Sequence, residues 1–193
     1  MADILMVYGT SHGQTEKIVR RMADRLSTEG HRVTVRKGDS HPSPAIFDAY
    51  LVAGSVQFGR HQRYLEEFVR RNLGPLSSGP TAFVSVCGAM AGSWSRGPEE
   101  AAKYVASFLS RTGWRPRLTR SFAGGLPYTK YGLPTRWMMR AISRVTGRPT
   151  DTSRDWDLTD WIEVDRFAAE LAGQLAGPPA MPVRPAMAVM ARA

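Results

Sequence analysis

Short runs of aliphatic and β-branched residues alternate with stretches of helical period along most of this chain, and that alternation leaves few folds open. Residues 4–8 read as a buried strand, and 14–28 as a helix with Ile18, Met22 and Leu26 on one face and Gly30 as its stop. Residues 32–36, alternating around Val33 and Val35, and residues 50–53 read as the second and third strands. A helix over 64–72 presents Leu65, Phe68 and Val69; a fourth strand over 82–86 is followed by a helix over 99–111 that ends near Gly113. Residues 118–123 form a fifth strand, and a last helix over 161–175 is capped by Thr159 or Asp160. Strands separated by helices require a parallel sheet covered on both faces, with right-handed crossovers. Five such strands suit a doubly wound order 2-1-3-4-5 better than a six-stranded sheet. Two segments fall outside the scheme. Residues 125–158 are an insertion before the last helix, and 177–193, rich in Pro, Ala and Met without apolar periodicity, are expected to be disordered. The folded domain is therefore expected over 1–176.

A chain of 193 residues with 42% apolar content is long enough for one domain with a sizeable core. The only cysteine, Cys87, excludes an internal disulfide and is compatible with a reducing compartment. Asp3 precedes an apolar stretch too short for a secretory signal, and no run approaches the ~18 apolar residues of a membrane span. The expectation is a cytoplasmic protein. Its formal net charge of +9 favours an anionic partner, and nearly all of the positive residues are arginine, which binds phosphate and carboxylate bidentately.

The segment richest in chemistry is Gly9-Thr10-Ser11-His12-Gly13-Gln14-Thr15, which leaves the first strand and opens the first helix. A phosphate monoester bound there needs main-chain amides, hydroxyl donors and the positive end of a helix dipole. Thr10, Ser11 and Thr15 bring hydroxyls, and Gly13 permits a tight turn. The loop has no lysine, so it fails the P-loop pattern, and it lacks the three glycines of a dinucleotide fingerprint. Taken bare, the pattern also describes a Ser/Thr-rich turn that caps a helix. Ligands of open α/β sheets sit at the carboxyl ends of the strands, which adds the loops Gly54-Ser55-Val56-Gln57-Phe58-Gly59 and Val86-Cys87-Gly88-Ala89. Phe58, between Gln57 and Gly59 in a loop, reads as an aromatic wall for a flat ring system rather than as a core residue of the following helix.

Thr10-x-x-Gly13-x-Thr15 resembles the phosphate-binding loop of flavodoxins, which hold FMN without a cationic side chain. Ser55 to Gly59, Glu67-Phe68-Val69, Trp114-Arg115-Pro116, Thr150-Asp151-Thr152 and Thr159-Asp160-Trp161 together resemble the menaquinone-dependent protoporphyrinogen oxidases over about residues 4–175. The resemblance implies a flavodoxin-like fold and FMN contacts at Thr10 to Thr15, Ser55 to Gly59, Ser85 to Ala89, and Asp151 with Thr152. It also implies protoporphyrinogen IX as electron donor, menaquinone as acceptor and a place in haem biosynthesis. The loop Cys87-Gly88-Ala89-Met90-Ala91-Gly92 departs from the family pattern in being richer in Gly and Ala, and Arg60-His61-Gln62 replaces a histidine-rich helix start. The chemistry belongs to the cofactor, so no side chain is assigned as acid, base or nucleophile. A flavodoxin acting as an electron shuttle and an NAD(P)H:quinone reductase are the alternatives, and the positive charge counts against the first.

Within the insertion, Arg136, Arg140 and Arg144 recur every fourth residue on one face of a helix over 134–145, opposite Trp137, Met138, Ala141, Ile142 and Val145. Pro134 is expected at its first position and Gly147 as its stop. Tyr128, Lys130 and Tyr131 add aromatic and basic character ahead of it. Such a helix reads as an element lying on an anionic membrane surface at the inner face of the cell membrane, as a carboxylate-binding face, or as a helix packed on the body with solvated arginines. His12, His31, His41 and His61 have no metal-site spacing, and His61 reads as a surface residue near the flavin. Cys87 lines the pocket or is an inert buried thiol. Ser93-Trp94-Ser95 lacks the frame of a nucleophile elbow, and no motif supports nucleic-acid binding.

Overall fold

The computed structural model describes residues 1–40, 42–44 and 47–176; the expected disordered tail and His41 lie outside the described residues. Five parallel strands, β1 (Asp3–Gly9), β2 (Arg32–Lys37), β3 (Ala49–Ser55), β4 (Thr81–Cys87) and β5 (Leu118–Ala123), form one sheet in the order β2-β1-β3-β4-β5. β1, β3 and β4 are buried almost throughout, so their sequences run apolar without alternation, as strands covered on both faces do. Register ties Ile4 to Ala49 and Val33, and Val52 to Phe83, so side chains of alternating parity line two separate cores.

On one face, α1 (Gln14–Thr28) and α5 (Trp161–Ala176) cover Ile4, Met6, Leu51 and Val84 with Ile18, Met22, Leu26, Phe167 and Leu171. On the other, α2 (Arg63–Arg71) and α3 (Gly97–Thr112) cover Leu5, Val7, Val52 and Phe83 with Leu65, Phe68 and Phe108. Trp114 closes this second core, its indole N–H donating to the Leu76 carbonyl at 3.0 Å. α3 stops at Gly113 in the left-handed conformation. Of the two expected caps of α5, Asp160 does the work: its Oδ1 accepts the N–H groups of Ile162 and Glu163.

The insertion is a structured excursion that sequence patterning showed only in part. Two-residue strands β6 (Gly125–Leu126) and β7 (Trp156–Asp157) pair antiparallel and pin its base. Between them lies α4 (Leu133–Val145), with Gly132 as N-cap and Leu133 first, so Pro134 takes the second position rather than the first. Tyr128, fully buried, hydrogen-bonds with the Ser143 hydroxyl and donates to the Pro149 carbonyl, both at 2.8 Å, and so fixes both ends of the excursion together.

Candidate functional site: a cleft with two walls

The phosphate loop occupies the turn from β1 into α1. Gly13, the N-cap, has φ 92°, while a Cβ added there would touch nothing within 4 Å. The backbone dihedral, not space, therefore demands glycine. No side chain caps α1, which leaves first-turn N–H groups for a ligand. The Thr10 hydroxyl accepts the Gly13 N–H at 2.9 Å and holds the turn closed. Thr15 is fully buried, and its Oγ1 has no hydrogen-bond partner. A buried hydroxyl left unsatisfied costs about 1–3 kcal/mol. Helical side chains lean toward the N-terminus, so an anion seated at the head of α1 satisfies this hydroxyl. These residues fit a phosphate ester.

The loops after β3 and β4 extend that wall. Gln57 and Arg60 exchange main-chain hydrogen bonds around Phe58 and Gly59, whose φ values of 49° and 78° make a tight turn of the primed kind. Phe58 is 85% exposed. A large side chain in the left-handed region and open to water is strained twice over, and a ring system stacked in the cleft relieves the exposure. Ser11 donates its hydroxyl to Gln57 Oε1 at 2.9 Å, which locks the phosphate loop to this turn. The Ser11 hydroxyl is thus engaged within the protein. The Val56 N–H donates to the Val86 carbonyl at 2.8 Å and joins the β3 loop to the β4 loop.

The insertion supplies the facing wall. Together they enclose a cleft of about 580 Å³ lined by Thr10, Ser11, His12, Gln14, Ser55 to Gly59 and Val86 to Ala89 on one side. Tyr131, Thr135, Met138, Met139, Ile142, Val145, Thr146 and Arg148 line the other, with Trp94, Tyr104 and Gly124 to Leu126 between. The walls are tied where they meet. Gln14 Nε2 donates to Asp157 Oδ1 and Thr159 Oγ1 at 2.7 and 2.8 Å, and the His12 ring meets Tyr131 edge-on at 5.4 Å. Burial pushes the His12 imidazole below its ordinary range. Burial likewise pushes the Cys87 thiol up, which makes it an inert lining group.

Several expected contacts fall elsewhere. Ser85 points to the opposite face of β4, where its hydroxyl lies 3.0 Å from His61 Nε2. His61 is not a surface residue. It is buried edge-on to Phe83 and Phe108, and burial, with the nearby Arg111 charge, lowers its pKa to about 4. Asp151 and Thr152 do not line the cleft; the Asp151 carboxylate folds back onto the Ser153 N–H and hydroxyl. Gly13 and Thr15 do not line the cleft: Gly13 shapes the turn, and Thr15 is buried with its hydroxyl unpartnered. The arginine face of α4 also divides. Arg136 is turned to the body, donating to the Thr129 and Tyr131 carbonyls, whereas Arg140 lies over the Trp137 ring and Arg144 is exposed. The insertion wall itself was missed as a site: its one sequence signal, the apolar face of α4, does not reveal that this face borders a cleft.

A 2-1-3-4-5 sheet with a lysine-free, hydroxyl-bearing anion cradle at its switch point defines a flavodoxin-fold protein whose cofactor is FMN. Comparison with known proteins agrees. The model of the flavodoxin domain family matches residues 5–153. A protein from Leishmania major named protoporphyrinogen IX dehydrogenase [quinone] is 32% identical over 185 residues, covering 94% of this chain and 78% of its own length. A protein of the same name from Escherichia coli (strain K12) is 30% identical over 170 residues, covering 87% and 93%. Among solved structures, oxidised flavodoxin 1 from Bacillus cereus superposes with a TM-score of 0.55 at 14% identity, covering 90% of this chain and 99% of that one. A flavodoxin from the domain Archaea gives 0.50 at 16%, covering 91% and 99%; at these identities both speak for the fold alone. The chain belongs to the flavodoxin domain family, in the branch of the protoporphyrinogen IX dehydrogenases [quinone].

Proposed function

We propose that this chain is an FMN-dependent oxidoreductase that oxidises protoporphyrinogen IX to protoporphyrin IX, a loss of six electrons and six protons in three two-electron rounds, and reduces three molecules of a quinone, menaquinone, to the quinol, as a step of haem biosynthesis. The observation that carries the reading is the second wall. An apolar roof of Met138, Met139, Ile142 and Val145 lines the cleft together with the Phe58 turn, and such a lining suits a flat, largely apolar donor. Bound FMN supplies a two-electron acceptor that passes electrons on to the quinone. The chain's own residues position and shield. Thr10, Gly13 and Thr15 orient the phosphate, Phe58 covers the ring system, and the β4 loop from Val86 to Ala89 borders it.

A quinone acceptor is lipid-soluble, and α4 offers the means to reach it. Leu133 and Trp137 are exposed outside the cleft lining, Trp137 at 64%, with Arg140 over the Trp137 ring and Arg144 exposed beyond it. Apolar residues framed by arginines suit a helix lying in an anionic bilayer surface at the cytoplasmic side of the membrane. Among the described residues no helix is long and apolar enough to cross a membrane. The test is a steady-state assay of the purified flavoprotein with protoporphyrinogen IX and menaquinone, in which porphyrin appears as quinone is consumed. Quinone reduction driven by NADPH, without porphyrinogen oxidation, contradicts the proposal and favours an NAD(P)H:quinone reductase.

A further inference from the structure

Arg148 is the single arginine or lysine among the described residues that line the cleft, and no acidic residue accompanies it there. It is half-buried and makes no ion pair within the described residues. The side chain is nevertheless held in place. Its Nε donates to the Thr146 hydroxyl at 2.7 Å, its Nη1 reaches the Gly88 carbonyl at 3.4 Å, and its own N–H donates to the Ser143 carbonyl at 2.9 Å. Ser143 is in turn bonded to the buried Tyr128, so the arginine stands on a fixed base. The loop after β4 is cleared for it. A Cβ at Gly88 would lie 2.8 Å from Nη1, and one at Gly92 would lie 2.8 Å from Cγ. The Gly/Ala-rich character of Cys87 to Gly92, a departure from the family pattern in the sequence, thereby acquires a physical reason.

A guanidinium taken partly out of water, with N–H groups left over and no carboxylate in reach, calls for an anion from outside the chain. The FMN phosphate does not answer to it. The phosphate cradle follows β1, whereas Arg148 meets the head of the β4 loop, and β3 lies between them. With strands spaced about 4.8 Å apart, the two positions are separated by roughly 10 Å. Resting on the functional reading above, we infer that Arg148 is the anchor for a carboxylate arm of the porphyrinogen, pairing with one propionate and so setting which edge of the macrocycle lies over the cofactor. Arginine suits this task because its planar fork matches a carboxylate bidentately.

The test titrates FMN-loaded protein with protoporphyrin IX and with its dimethyl ester, in the unaltered chain and in Arg148→Gln and Arg148→Lys, following the porphyrin absorption band. The free acid should bind the unaltered chain on the order of thirtyfold more tightly than the ester, and Arg148→Gln should lose that preference while Arg148→Lys keeps part of it. Flavin content should be unchanged in both variants. Equal binding of acid and ester by the unaltered chain overturns the anchor without any variant having to fold. So does an Arg148→Gln protein whose flavin potential moves while its preference for the acid persists, since Arg148 would then act on the cofactor. Turnover of both the acid and the ester form of the porphyrinogen at equal KM removes the anchor and leaves the functional reading intact. Acid-selective, Arg148-dependent binding without porphyrinogen oxidation does the opposite.

Discussion

The two walls of the cleft are built from different materials. The sheet wall offers main-chain amides, hydroxyls and one strained aromatic turn, and carries no lysine or arginine in the loop from Gly9 to Thr15. The insertion wall is mostly apolar, anchored through Tyr128, and holds Arg148, the one arginine among the described residues that borders the cavity. The difference teaches a division of labour. A cradle of dipoles suits a cofactor held permanently in one pose, because fixed amides need no reorganisation. An apolar roof with a single charge suits a substrate that must enter, be oriented and leave.

If the walls are separate devices, damage at the seam where the loop after β4 meets the end of α4 should uncouple them. Gly92 is at that seam, with φ 80° and a would-be Cβ only 2.4 Å from the Thr146 carbonyl oxygen. Gly92→Ala should destabilise the protein by about 2–4 kcal/mol through overpacking and a left-handed alanine, measured by denaturant unfolding. Porphyrinogen oxidation should fall while FMN content is kept. Parallel loss of flavin and of porphyrinogen activity would show that the walls are one unit.

The sheet wall should also be the acid-sensitive one. His61, against Gly54 behind that wall, stays neutral in the fold down to about pH 4 but titrates near 6.5 when unfolded. The unfolded chain then binds more protons in that interval, so stability contributed by His61 is complete above pH 6.5 and is lost as pH falls toward 4, by on the order of 3 kcal/mol. The difference in unfolding free energy between the parent and His61→Phe should change across this window and be flat above it.

Thr15→Ala strikes the cradle alone. FMN affinity should weaken by about 2 kcal/mol, roughly thirtyfold, through one lost hydrogen bond to a charged group, as read by flavin fluorescence. Porphyrin binding to protein resaturated with FMN should not change. The smallest effect belongs to the outer surface of the insertion. Arg140→Gln with Arg144→Gln should weaken sedimentation with anionic vesicles by about 1 kcal/mol per residue in low salt, with flavin content untouched. Arg136→Gln should do less, since Arg136 is spent on main-chain carbonyls.

The sheet wall was legible in the sequence and the insertion wall was not, for a physical reason. The start of α1 at Gln14, the strand over 118–123 and the Gly13 turn follow from local pattern, because dihedral preference and apolar period act within a few residues. Phe58 was legible too, as an aromatic between loop residues. Which way Arg136 or Ser85 points depends on what lies across from them, and single-sequence pattern carries no such information. Asp151 and Thr152 were assigned by resemblance alone, and the turn that Asp151 caps takes them away from the cavity. His61 looked exposed beside Arg60 and Gln62, yet the edge faces of Phe83 and Phe108 enclose it. Arg148 escaped notice because it falls after the helix, outside the fourfold arginine period that drew attention to Arg136, Arg140 and Arg144.

The central claim is that dipoles and hydroxyls at the head of α1 grip a doubly charged phosphate ester without a lysine. Titration of flavin-free protein with FMN and with riboflavin, which differ only in that phosphate, tests it most directly. FMN should bind on the order of a thousandfold more tightly or better, as two or more hydrogen bonds of about 2 kcal/mol each to a charged group require. Equal affinity for the two flavins, or indifference to both, would contradict it.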